Sequence, residues 1–419
     1  AMWKIYRRPK MLMSLKLLSK PSHLSCYYFS VMCNFCLIFN LSAAEVKSES
    51  LQIHGFVAQG IIDADKSNYI NDDESLSLEL TEVGINASYQ INNDFRIAGQ
   101  AVYLNGGNRY HPGLRVDYLL LEWNAFYNEA WQASFYFGRV KNNHWLYSST
   151  RDIPFARPSI LIPQVVYFDG FRDIAVGGDG AAVKLKYSDD YFGDIDFNFS
   201  RGKSAISDEQ ANVVLGKSAQ GTLEHALDAQ ASIYWRPAFS QWRFGLSALD
   251  ASFSYQRDET DIFSDGDFAF QFYTANALYE GEHWQFSAEL FQERFLTSEF
   301  YFPGFHRDEI GQGYYLQGSY HLINDLSLMA RYERFYVNKD DKNGSQLAEN
   351  SGGLIPSYFG FHNDTMIGLS YDFSSNFRLN AEYHWMQGGA RLSPIVQPNP
   401  VANANENWQV WAIQLMYWF

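Results

Sequence analysis

The chain has 419 residues and a formal charge of −15, from 32 Lys+Arg against 47 Asp+Glu. Aromatic residues make up 17 %, including 28 Tyr and 33 Phe, in a chain whose average hydropathy is mildly polar. Such acidity excludes a nucleic-acid-binding role, and abundant rings in a polar chain suit lipid-facing strands around a wet interior better than a soluble core.

Residues 1–44 read as a signal peptide. Lys4, Arg7, Arg8, Lys10, Lys16 and Lys20 form a basic region with no acidic residue, Tyr27 to Leu41 is mostly apolar, and Ser42-Ala43-Ala44 offers a small-residue cleavage site. Translation starting at Met11 or Met13 would shorten the basic region. The rival reading, a membrane anchor, is weakened by Ser30 and Asn34 and by a span shorter than the roughly 20 apolar residues a helix needs. Cys26, Cys33 and Cys36 all fall in this segment, so the remaining domain, 45–419, has no cysteine. An exported chain without disulfides needs another closure, and a closed strand ladder supplies one. Without its six leader cations the chain holds 26 Lys+Arg against 47 Asp+Glu.

From residue 50 onward, alternating segments separated by turn residues predict sixteen strands, with fourteen or eighteen as the alternatives. They are placed near 50–61, 75–90, 95–106, 112–127, 131–140, 179–189, 194–202 and 226–237, then 242–257, 268–279, 283–296, 312–322, 325–337, 363–374, 376–390 and 407–419. The segments at 194–202 and 312–322 are the weakest. In 376–386, Phe377, Leu379, Ala381, Tyr383 and Trp385 share one face, while Arg378, Asn380, Glu382 and His384 share the other with Met386. Charges on that second face predict a watery lumen. Short turns, such as Asn128-Glu-Ala130 and Glu280-Gly-Glu282, alternate with long joins, including 141–178, 203–225, 297–311, 338–362 and 391–406. A closed barrel with turns at one end and loops at the other gives this parity.

The longest join, Lys141 to Gly178, carries three prolines, the apolar runs Ile160-Leu-Ile162 and Val165-Val-Tyr167, and a mixed set of charges. Its hydrophobicity predicts packing against the barrel wall. Lys141, Arg151, Arg157 and Arg172 stand with Asp152, Asp169 and Asp173, and candidate wall partners are Arg115, Asp117, Arg331, Glu333, Arg378 and Glu382. Opposed charges across a narrow aqueous gap would orient dipolar solutes and turn apolar ones away. The plainer alternative is that these pairs only fasten the loop to the wall.

Other chemistry is sparse. No cofactor or metal is expected: Asp340-Asp341-Lys-Asn343-Gly344 lacks the ligand spacing of a calcium loop, and the ten histidines show no paired-ligand motif. The acidic run Asp258-Glu-Thr-Asp261 suits an external loop that meets lipopolysaccharide through divalent cations. His384 beside Glu382 is the one arrangement that suits a barrel hydrolase.

The final segment ends on an aromatic residue, with Trp411, Ile413, Leu415, Tyr417 and Phe419 in one apolar column. This resembles the closing strand of Gram-negative outer-membrane barrels, which the assembly machinery reads in that family. With sixteen strands, a long third external join and the Gly138-Arg139 step into it, the chain resembles the porins. The resemblance implies an all-β transmembrane antiparallel barrel with an inward-folded third loop, a homotrimer in the outer membrane, and passive diffusion of small hydrophilic solutes and ions. An anion-preferring channel, a barrel hydrolase and a non-conducting adhesin are the competing expectations.

Overall fold

The computed structural model describes residues 50–73, 75–172 and 177–419. The expected signal peptide, the three cysteines and Asp173 lie outside the described residues.

Sixteen strands follow in chain order: β1 (Leu51–Asp65), β2 (Thr81–Gln90), β3 (Phe95–Asn105), β4 (Gly113–Tyr127), β5 (Trp131–Lys141), β6 (Gly177–Asp189), β7 (Gly193–Lys203) and β8 (Thr222–Arg236). Then come β9 (Trp242–Gln256), β10 (Gly266–Glu280), β11 (Trp284–Ser298), β12 (His306–Ile323), β13 (Leu326–Tyr336), β14 (Phe361–Ser374), β15 (Phe377–Gln387) and β16 (Asn407–Trp418). Each pairs with its sequence neighbours, and β1 pairs with β16 to close the barrel. Every backbone ladder is therefore satisfied within the wall, the condition for strands to cross a bilayer. All sixteen expected strands are present. β2 starts later than expected, because Ser77 makes only an isolated bridge to Ile62 before the ladder begins at Thr81. β12 starts earlier, since pairing with β11 runs back to Ser298↔His306. Its charged opening, His306-Arg-Asp-Glu309, reads as loop because this end of the ladder carries charge on both faces.

Alternation sorts the side chains cleanly. Along β15, Trp385 is exposed on the outer face, whereas Asn380, Glu382 and His384 are buried inside. Along β16, Ile413, Tyr417 and Phe419 face outward, and Val410, Ala412, Gln414 and Met416 are buried. An outer row of rings marks the short-turn end, with Trp131 against Tyr187, Trp242 against Tyr279 and Trp284 against Tyr320. Toward the loops, the outer face turns polar at Arg139–Asp179, Gln271–Asp250 and Arg294–Asp308. About eight residues separate the two borders, and on tilted strands that spans roughly 20 Å, the height of a bilayer-facing band.

The seam is tied by reciprocal backbone bonds between Gly55 and Phe419, at 3.1 and 3.0 Å. A Cβ on Gly55 would meet the Phe419 ring at 2.6 Å, so the glycine makes room for the last side chain. Deleting Phe419 removes both bonds and that packing. The expected result is a clear drop in folded barrel, measured as the heat-modifiable band on unheated gels.

Candidate functional site

Gly138 near the end of β5 has φ +118, and a Cβ there would strike the Leu119 carbonyl oxygen at 2.4 Å. Beyond β5 the chain crosses the interior instead of standing above it, and inward-facing polar residues catch it in turn. Asn142 donates to Asp228 on β8 at 2.9 Å. The His144 carbonyl accepts from Ser247 on β9 and from Thr274 on β10 at 3.3 Å. Leu146 N–H donates to Glu289 on β11 at 3.1 Å, and the hydroxyls of Tyr167 and Tyr315 donate to the same carboxylate at 2.6 and 3.0 Å. Farther round, Val165 N–H donates to Glu333 on β13 at 2.9 Å. Ile160 and Leu161 N–H groups donate to Glu382 on β15.

Between these anchors lies an apolar floor. Trp145 packs edge-on against Tyr167, Phe272 and Phe291, with ring centroids 5.4–6.1 Å apart. The runs Ile160–Ile162 and Val165–Tyr167 are all buried. Burial also pushes the His144 imidazole down to about 3, with Arg151 adding to the effect, so it is neutral at ordinary pH. Glu289→Ala would strand three buried donors at once, costing on the order of 3 kcal/mol of loop attachment. Faster hydrogen exchange across residues 144–147 is the expected readout.

The sequence-predicted charges fall into two groups. Arg157 forms a two-pronged ion pair with Glu82 on β2, Arg331 bonds Glu333 and Ser159, and Arg378 pairs with Asp372 while reaching the Phe155 carbonyl. Arg151 and Arg109 both hold Asp169. Arg331, Glu333, Glu382, Arg151, Arg157 and Asp169 are at most 5 % exposed, so in this structure they fasten the loop rather than meet water. The second group gathers on the β3–β8 side. Lys141 lies 2.7 Å from Asp117 and 3.7 Å from Asp152, and Arg172 pairs with Asp152. Burial alone would raise the Asp152 carboxyl, but Arg172, then Lys141 and Arg151, hold it well below the usual carboxylate range.

Cavities sit on either side of the Lys141–Asp117 pair. One, of about 230 Å³, is lined by Arg115, Asp117, Arg139, Asp152 and Arg172 among others. The other, of about 280 Å³, opens toward the short-turn end past Lys141, Ser149 and Lys184. Sequence reasoning missed Glu82, Glu289, Asp228 and Arg109 as anchors. Glu289 stood in the inward column of its strand, but alternation alone does not tell a residue bonded to a loop from one facing water.

His384 lies between Asp364, at 2.7 Å from Nδ1, and Glu382, at 3.3 Å from Nε2, and is fully buried.

No protein-family model and no curated protein matches the sequence. Solved structures do match in fold. OprB of Pseudomonas putida shares 10 % identity at a TM-score of 0.55, covering 91 % of this chain and 97 % of its own. An anion-selective porin from Comamonas acidovorans shares 10 % at 0.54, covering 88 % and 99 %. The trimer form of OmpT, an outer-membrane protein of Vibrio cholerae, shares 13 % at 0.53, again covering 88 % and 99 %. A closed sixteen-stranded barrel, apolar outside and crossed inside by the segment after β5, gives this chain the fold of the outer-membrane porins.

Proposed function

We propose that the protein is an outer-membrane porin of a Gram-negative cell, passing small hydrophilic solutes and ions down their gradients without a chemical step. One observation carries this reading: the segment after β5 is held across the lumen by inward side chains of the wall, and cavities of about 230 and 280 Å³ flank Lys141 and Asp117 on the β3–β8 side. Four inward cations line these cavities (Arg115, Arg172, Lys141 and Lys184) against two carboxylates, Asp117 and Asp152. That excess favours a modest anion preference. Reversal potentials in planar bilayers under a KCl gradient test it: a chloride-side potential is expected, and a potassium-side one would refute the preference.

The remaining partners follow from the same reading. A trimer matches the form in which the Vibrio protein was solved. The outward column Trp411, Ile413, Leu415, Tyr417 and Phe419 serves as the signal for barrel assembly, and the acidic external run at Asp258–Asp261 meets lipopolysaccharide through divalent cations. The hydrolase alternative is disfavoured because His384 has no exposed face. Purified protein should leave phospholipid and peptide intact, and cleavage lost in His384→Ala would reverse that judgement.

A further inference from the structure

Four external loops converge above the constriction on a cavity of about 630 Å³. They are the joins after β1, β3, β7 and β15, and hydrogen bonds lock them to one another. Asn108 N–H donates to the Ile70 carbonyl at 2.8 Å, and its side-chain amide donates to the Asn68 carbonyl at 2.8 Å. Asn403 donates to Asn68 at 2.7 Å, and Ser67 donates to Asn403 at 2.8 Å. On the other side stands α1 (Asp208–Leu215), opened by a capping box from Ser207 and Gln210. The Val214 carbonyl near its end accepts the N–H groups of Ile395 and Val396, both at 3.1 Å. Gly216 follows with φ +95, and a Cβ there would crowd the Gln397 side chain at 3.1 Å. These joins form a braced ring around a preformed space, and a preformed site spends little binding energy on ordering itself.

The lining is rich in side-chain amides: Asn68, Asn108, Asn212, Gln397 and Asn399. Asn68 and Asn108 spend their amides on bracing the joins and on Asp72, whereas the amides of Asn212 and Gln397 each bring a donor and an acceptor to the cavity. Asp72 and Glu209 add acceptors, Lys217 adds a donor, and Val213 is the single aliphatic side chain among the cavity's residues. The Asp72 carboxylate is aimed by Asn108, 3.1 Å away, which leaves its second oxygen for a ligand. Pro112, Pro394, Pro398 and Pro400 supply flat C–H surfaces between the polar groups. The amides carry no charge, and two carboxylates facing one lysine do not make an anion site. Mixed donors and acceptors at close spacing, with C–H faces between them, match a ligand that presents a hydroxyl on nearly every carbon. The volume falls within the roughly 300–1,000 Å³ of ordinary small-molecule sites.

We propose that this vestibule binds a neutral polyhydroxylated solute of mono- to disaccharide size, holding it directly above the constriction. The site deepens the channel reading by naming the solute class that is concentrated at the mouth.

The test uses maltose as the probe, added to the loop side of protein reconstituted in planar bilayers. Current through open channels should be interrupted by maltose with saturating dependence, half-maximal in the millimolar range typical of weak sites. The double variant Asn212→Ala with Gln397→Leu should raise the half-saturating concentration about tenfold, which corresponds to losing 1.4 kcal/mol. Compact migration of the variant on unheated gels confirms that it has folded. Open channels that maltose never blocks would overturn the vestibule site while leaving the channel intact. Stronger interruption by succinate than by maltose would overturn it too, by making the ligand an anion. If no channels open, calorimetric titration of the detergent-solubilised protein with maltose decides the site independently. Heat of binding sustains it, and a flat titration removes it.

Discussion

Removing residues 148–166 is expected to raise single-channel conductance roughly threefold or more, because a sixteen-strand wall encloses a wide lumen unless something fills it. Here that filler is this stretch, with Ile160–Ile162, Val165 and Val166 buried and backbone amides of both runs held by Glu382 and Glu333. The wall itself does not depend on the stretch, since all sixteen ladders close without it. Water would enter and solvate the inward carboxylates that the loop now occupies, so the barrel should survive with its folded gel mobility unchanged. Planar-bilayer recording measures the change. Unaltered conductance would mean that the stretch does not limit the pore.

Lys141→Glu should have the second-largest effect. The ammonium lies within 4 Å of two carboxylates, Asp117 and Asp152. Replacing it with a third carboxylate makes the cluster repel itself and removes one of four inward lining cations. Arg172 still holds Asp152, so the loop is not released outright. The reversal potential under a KCl gradient should move toward potassium, and the shift should shrink as ionic strength rises, because solvent-facing charges are screened. Lys141→Gln, which removes charge without reversing it, should fall between the two.

Much of the fold was legible in the sequence because a barrel writes its periodicity into every strand. Glu382 and His384 alternate with Tyr383 and Trp385, which puts charge on one face of the strand and rings on the other. Turn parity was equally plain, since Asn128-Glu-Ala130 and its counterparts are too short to be anything but the tight end. Strand limits were less legible where the ladder outruns the membrane. β12 continues to His306 through charged residues, because above the lipid neither face has to be apolar. The site was half legible. Charge and hydrophobicity in 141–178 pointed to a loop inside the barrel, but not to which charges would meet water. That depends on the path of the loop, and the path is set by distant carboxylates such as Glu289, Glu333 and Glu382, which take backbone amides of the loop that have no sequence signature. Lys141 and Asp152 border the cavities on the β3–β8 side, whereas Arg151, next to Asp152, turns its guanidinium to the Tyr167 and Phe168 carbonyls and to Asp169.

Cysteine blocking gives the most direct test of an off-centre aqueous path. In protein whose native Cys26, Cys33 and Cys36 have been removed, a single cysteine replaces either Ser149 or Thr274. Ser149 is exposed beside the cavity below Lys141, and Thr274 is buried under the loop on β10. A negatively charged methanethiosulfonate reagent should cut the current through Ser149→Cys channels and leave Thr274→Cys channels untouched. Block at Thr274→Cys with none at Ser149→Cys would place the passage on the opposite side of the barrel and contradict the account.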